Sequence, residues 1–272
     1  KPVVEELARD RALLKGPPKK LYGVCLMTDA ERYTTASEGM DPGELAKVMN
    51  TYFEGLFRPV KEHGGTISDV TGDSMLAIWT GNKSEEELEE GALSAAIDLI
   101  EWVETFNQKG LGLRLPTRVG IHSGILALGN IGALDHYEFT PIGDIVNTTS
   151  RIEGLNKYLG TKILASEAII SKTNKFYAIK LGTFLLAGKL VPIVIYEVKG
   201  RKREITRQQR QIDRDFAKGL EAFTQGDWQL AIDIFSRISS YGPARFYMDM
   251  AKGFLLSPPD EPWDGVVRVI KK

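Results

Sequence analysis

Two aspartates stand where carboxylates can act together. Asp29 follows the apolar run Leu21–Met27, which has strand length, and Asp73 lies in the tight turn Thr71-Gly72-Asp73 between two further short apolar runs. Carboxylates on neighbouring strand ends can share a hard cation such as Mg²⁺, which takes oxygen ligands and leaves room for substrate phosphates. The plainer alternative is that Asp73 shapes its turn and Asp29 caps its strand. A second constellation follows the glycine turn at Gly143. Asn147 and Arg151 stand four residues apart in a helix expected from about Ile145 to Leu159, so they share one face. An Asn that holds a sugar and an Arg that meets phosphoryl oxygens suit phosphoryl transfer, which relies on positioning and charge neutralisation. The plainer alternative here is an exposed Asn147 and an Arg151 that pairs with Glu153.

The elements that position these residues alternate. Leu21–Met27 reads as a strand. Asp41-Pro42 opens a helix whose apolar residues Leu45, Val48, Met49, Tyr52, Phe53, Leu56 and Phe57 recur at helical spacing. Thr66–Val70 and Ser74–Trp79 read as a hairpin, and Ser84 caps a helix that runs to about Asn107. Arg118–Ala127 is the next strand, followed by a Gly-rich stretch and a short strand near Phe139. Beyond the Asn147 helix come a strand at Lys162–Ala165, a helix from Ser166, and strands at Ala178–Phe184 and Val191–Val198. The order predicts an α+β fold, a ferredoxin-like βαββαβ sandwich with helices over one sheet face.

Composition bounds the function. The chain of 272 residues carries 35 Lys and Arg against 36 Asp and Glu, a formal charge of -1, which argues against a broad basic face for nucleic acid. The single cysteine, Cys25, excludes an intrachain disulfide, and burial between Val24 and Leu26 accounts for it. His63, His122 and His136 are too scattered for a histidine metal centre, and His122 on its strand reads as a packed residue rather than a general base. No apolar run reaches the ~18 residues of a membrane span, and the charged opening is no signal peptide. A cytoplasmic, reducing setting is therefore expected, in a piece of a longer protein. Residues 1–20 read as a connector with a short helix at Glu5–Leu14. Residues 199–215 read as a basic linker, a solvated linker or exposed helix rather than a nucleic-acid patch, with seven basic residues against two acidic ones in Lys199–Arg214. Residues 216–272 read as a small helical extension whose Phe216, Leu220, Phe223, Trp228, Ala231 and Phe235 follow the spacing of a single tetratricopeptide-like pair. Such a pair must dock on something to bury its apolar face.

Four motifs taken together carry a family resemblance. TDAERYTTASE from Thr28, GGTISDVTGDSMLAIW from Gly64, RVGIHSGILALGNIG from Arg118 and TPIGDIVNTTSRIEGLNK from Thr140 resemble the catalytic domain of class III nucleotidyl cyclases, in order and spacing, over residues 21–198. The tail through Trp263-Asp264-Gly265 resembles the extension on some bacterial, sensor-linked members. The resemblance implies that Asp29, Asp73 and the Ala30 backbone carbonyl bind two Mg²⁺ or Mn²⁺ ions. It implies that Asn147 orients the ribose and Arg151 stabilises the transferring phosphoryl group. It also implies a homodimer that shares its active sites across the interface, and attachment to an N-terminal membrane or sensor region outside this chain. The implied reaction converts ATP to cyclic AMP and pyrophosphate.

The sequence departs from the family at several points. Asp69, four residues before Asp73, stands where adenylate cyclases of this class usually carry a Lys that reads adenine. Guanylate cyclases place an acid there, so Asp69 raises GTP to cyclic GMP as the alternative, beside the plain reading of a solvated hairpin carboxylate. The companion base-reading position is Thr140, where many members have Asp. Arg32-Tyr33-Thr34 replaces the usual Gly-Phe-Thr after the first metal aspartate. Ala187-Gly188-Lys189 keeps only Lys189 as a phosphate contact. A non-catalytic nucleotide-binding or dimerisation domain is the third reading. A diguanylate cyclase is excluded by the lack of its Gly-Gly-[Asp/Glu]-Glu-Phe signature.

Overall fold

The computed structural model describes residues 18–31, 33, 38–110, 113–133, 136–259 and 262–269, with the backbone alone between 130 and 140. The expected connector helix at Glu5–Leu14 lies outside the described residues. Backbone packing divides the chain into two compact units, Lys1–Glu153 and Gly154–Lys272. The boundary falls inside a helix, whereas the shift in composition comes at 199.

The first unit runs β1 (Lys19–Ala30), α1 (Pro42–Glu62), β2 (Thr66–Thr71), β3 (Ser74–Trp79), α2 (Glu85–Gln108), β4 (Thr117–Ala133), β5 (His136–Ile142) and the start of α3 (Asp144–Leu159). This is the βαββαβ order read from the sequence. Its strands lie in the order β2-β3-β1-β4, and β5 folds back on β4. All these pairings are antiparallel, with Thr28 opposite Met75 and Asp29 opposite Arg118. The helix starts are set by local chemistry. Asp41 Oδ1 accepts from the Gly43 and Glu44 amides at 2.9 and 3.1 Å, and Ser84 and Glu87 form a reciprocal capping box. Each cap is worth about 1 kcal/mol. Val24, Leu26 and Thr28 face the side covered by α1 and α2, where Tyr52, Leu56, Leu93 and Leu99 are fully buried.

The opposite face is not bare. Cys25, Leu76, Ile78 and Leu126 pack there against Ile145 of α3, so helices cover both sides of this part of the sheet. Burial pushes the Cys25 thiol up to about 12, and the sulfur is an inert core group. The Gly-rich stretch after Ala127 continues β4 to Ala133, because β5 supplies it with backbone partners from Ala127↔Ile142 to Ala133↔His136.

The second unit holds β6 (Ile163–Ser166), a single helical turn α4 (Glu167–Ile170), β7 (Phe176–Leu185), β8 (Ile193–Arg201), a 3-10 turn (Lys202–Glu204), α5 (Arg207–Gln225), α6 (Trp228–Ser236), α7 (Gly242–Leu256) and β9 (Val266–Arg268). The strands lie in the order β6-β8-β7-β9. Residues 199–215, read from composition as a linker, hold the end of β8, the 3-10 turn and the first half of α5. Thr206 caps α5 through the Gln209 amide at 3.1 Å, and its buried side runs Asp213, Phe216, Leu220, Phe223. A charged residue opens that stripe, which hides it from an apolar count. The extension docks on its own unit: the buried Tyr247 hydroxyl donates to the Leu181 carbonyl in β7.

Candidate active site

The aspartates reach one another because of strand register. With Thr28 opposite Met75, the next residues along the β1 and β3 ends bring Asp29 beside Ser74 and Ala30 beside Asp73. Ser74 Oγ donates to Asp29 Oδ1 at 3.3 Å, and the Ala30 amide donates to Asp73 Oδ2 at 3.2 Å. Gly72, at φ +62°, makes the tight turn that puts Asp73 at the hairpin tip. The Asp73 carboxyl is pushed above its ordinary value, first by burial and then by the Asp29 charge.

Arg118 is the residue that the sequence reading missed. It pairs with Asp29 across the β1–β4 ladder, and its guanidinium bonds the Asp29 carboxylate directly. Its Nε lies 3.2 Å from Glu153 Oε1, and another of its nitrogens lies 4.0 Å from Glu31. Glu153 is pushed up to about 7, by burial first and by Asp29 next, with Arg118 opposing. Behind this group, Tyr52 and Thr117 share a 2.8 Å hydrogen bond between hydroxyls, and Thr117 is the cross-strand partner of Ala30.

Gly120 explains why α3 comes so close to β4. A Cβ there would sit 2.3 Å from the Glu153 amide nitrogen and 2.7 Å from the Thr149 carbonyl oxygen. Both are backbone atoms and cannot rotate away, so only glycine admits the helix. Asn147 is exposed and Arg151 half-buried on the same face of α3. Arg151 forms no hydrogen bond or ion pair with another described residue. The pairing with Glu153 considered for it goes to Arg118.

The other candidates are placed as follows. Asp69 is exposed, and it accepts from the Val70 amide at 2.8 Å and from Thr71 Oγ1 at 2.9 Å. Thr140 is opposite Gly129 in the β4–β5 ladder, and its side chain is outside those described, as are residues 32 and 34 of the loop after Asp29. Lys189 lies in the turn between β7 and β8 of the second unit, where its amide donates to the Leu186 carbonyl at 3.0 Å.

Among the described residues no group of three or more His, Cys, Asp and Glu side chains forms a metal cluster. Two adjacent carboxylates at the β1 and β3 ends are nevertheless a fitting donor set for Mg²⁺ or Mn²⁺. Such ions commonly take one or two protein carboxylates and complete their shell with water and substrate phosphates. Among the described residues, no helix is long and apolar enough to cross a membrane.

The model of the adenylate and guanylate cyclase catalytic domain matches residues 18–201. Adenylate cyclase 1 of Rhizobium meliloti is 36% identical over 184 residues, which are 66% of this chain and 28% of that protein. The adenylate cyclase of Anabaena cylindrica is 34% identical over 185 residues, 64% of this chain and 36% of that one. Only a minor part of each relative is therefore matched. Among solved structures, the guanylyl cyclase Cya2 aligns with a TM-score of 0.61 at 27% identity, covering 70% of this chain and 98% of that one. The adenylyl cyclase CyaB from P. aeruginosa gives 0.63 at 23% identity, covering 70% and 100%, a likeness of fold. With the domain model matching most of its length, the chain belongs to the family of adenylate and guanylate cyclase catalytic domains.

Proposed function

We propose that this chain converts ATP to 3′,5′-cyclic AMP and pyrophosphate. The observation that carries the reading is the juxtaposition of Asp29 and Asp73 at the β1 and β3 ends, together with an α3 face that presents Asn147 and Arg151. Asp29, Asp73 and the Ala30 carbonyl would hold two divalent cations. When bound, these supply acidification of the ribose 3′-hydroxyl and neutralisation of the triphosphate. Asn147 holds the ribose so that its 3′-oxygen faces the α-phosphorus. Arg151 meets the charge that builds on the equatorial oxygens as the 3′-O–P bond forms and the bond to the β-phosphate oxygen breaks. The 3′-hydroxyl proton passes to solvent water and pyrophosphate departs.

The family resemblance assigns the two carboxylates and the Asn/Arg pair of one site to different chains, so a symmetric homodimer would hold two sites. The exposed Asn147 and the Arg151 without a partner among described residues suit that arrangement.

ATP is favoured over GTP by the curated relatives named adenylate cyclase and by the local bonds of Asp69. The GTP reading rests on the acid at position 69 and on the likeness to a guanylyl cyclase structure. Measuring cyclic product from ATP and from GTP, with Mn²⁺ and then Mg²⁺, tests the proposal. The expected result is cyclic AMP from the wild-type chain and a roughly 100-fold or greater loss in Asp73→Ala. Product mainly from GTP would replace the substrate. No product from either, in protein shown to be dimeric, would support the non-catalytic reading.

A further inference from the structure

We infer that Arg118 is the resident counter-cation of Asp29, and that Glu153 is the positioning residue that takes over the guanidinium when a divalent cation claims that carboxylate. The inference rests on the metal reading of Asp29 and Asp73 above.

The geometry leads there directly. One guanidinium stands among several carboxylates: it bonds Asp29, has its Nε 3.2 Å from Glu153, and lies 4.0 Å from Glu31. The Arg118 side chain is 14% exposed and that of Glu153 10%, whereas Asp29 is 31% exposed and so open to an ion from solvent. A guanidinium does not lose its proton, so it cannot yield to a cation by becoming neutral. A metal on Asp29 and Arg118 on the same carboxylate repel one another at short range, so Arg118 must shift its charge elsewhere.

Two acceptors are within reach. Glu31 is 46% exposed and offers only a solvated ion pair. Glu153 is already in contact and shielded from water. Its place is fixed by backbone, because α3 approaches β4 at Gly120, two residues along the same strand face from Arg118. A small rotation of the guanidinium therefore trades Asp29 for Glu153 without opening the core. Arg118 keeps the Asp29 carboxylate compensated before the cation arrives, and Glu153 lowers the cost of releasing it.

The test is a double-mutant cycle on Mn²⁺ affinity, read by the electron paramagnetic resonance of free Mn²⁺ without substrate or turnover. Glu153→Gln in the full chain should raise the Mn²⁺ dissociation constant about 10-fold, because Arg118 then has Asp29 as its one carboxylate in direct contact. In an Arg118→Gln background the same change should move the constant by no more than about 2-fold. An equal loss in both backgrounds would mean that Glu153 acts only through its own charge, and would overturn the inference. Thermal melts in EDTA check folding, and Glu153→Asp enters the cycle if the Gln variant does not fold. Failure of the wild-type chain to bind Mn²⁺, or binding indifferent to Asp73→Ala, would instead overturn the metal reading, and the inference with it.

Discussion

Both carboxylate oxygens of Asp69 are engaged by its own hairpin, at the Val70 amide and the Thr71 hydroxyl. Each oxygen keeps a further lone pair, but the two local bonds, worth about 1 kcal/mol net each, hold the carboxylate in its hairpin orientation. Asp69→Ala should therefore change the ratio of kcat/KM for ATP to that for GTP by less than about threefold, while loosening the hairpin by about 1 kcal/mol. Parallel kinetics with both nucleotides check this, and a collapse of GTP use alone would make Asp69 the base reader. At this scale the sequence was readable where a residue ends an element. Asp29 closes a strand, Asp73 tips a hairpin, and Asn147 and Arg151 keep helical spacing. Arg118 and Glu153 were not readable as partners, although both lie in the motifs quoted from the sequence. The β1–β4 register joins Arg118 to Asp29, and the close approach of α3 to β4 at Gly120 brings Glu153 to Arg118; a sequence alone displays neither.

Elements bring these residues together through backbone approach as much as through side chains. At Gly120 the α3 backbone comes so near that any Cβ would collide with the Glu153 and Thr149 main chain. Gly120→Ala must push α3 outward or bend β4. An overpacking cost of about 1–3 kcal/mol is expected, read as a lower urea midpoint, with cyclase activity falling further than stability because Asn147 and Arg151 ride on the displaced helix. A variant as stable and active as wild type would show that α3 has room to give. The order of strands and helices in the first unit was legible from periodicity and caps. The length of β4 was not, since the glycines beyond Ala127 read as loop until β5 provides partners. The short edge strand β9 escaped for a related reason, because pairing with β7 sets its limits and local pattern does not.

The family match stops at residue 201, yet the second compact unit continues through β9. Phe216, Phe223, Phe235 and Tyr247 form its aromatic centre, with Phe223 and Tyr247 rings 4.8 Å apart. Two devices tie this centre to the strands. At Gly182, with φ +129°, an added Cβ would sit 2.3 Å from the Tyr247 hydroxyl, so the glycine and the β7 bulge beside it admit that ring. In β8, the buried Lys199 bonds Asp213 of α5, lies 3.5 Å from Glu197, and stacks on the Tyr241 ring at 4.1 Å. Composition read this lysine as part of a solvated basic run, because its partners come from α5 and from the turn before α7. One ammonium thus answers two carboxylates, and burial holds Glu197 above its ordinary 4.5 in spite of Lys199 and the Tyr241 hydroxyl. Lys199→Met removes the shared cation from the buried Asp213 and the half-buried Glu197, which should cost about 3–5 kcal/mol in urea unfolding at neutral pH. Adding Asp213→Leu should restore more than half of the loss, since a buried charge without a partner is replaced by an apolar side chain on the buried side of α5. The sign of the pH dependence follows from Glu197. Its folded-state proton affinity exceeds the unfolded one, so the folded form binds more protons, and stability falls as pH rises from about 4.5 through the folded value. The cost of Lys199→Met should therefore shrink toward acid, where Glu197 takes up a proton, and a cost independent of pH would show that the lysine matters only for packing.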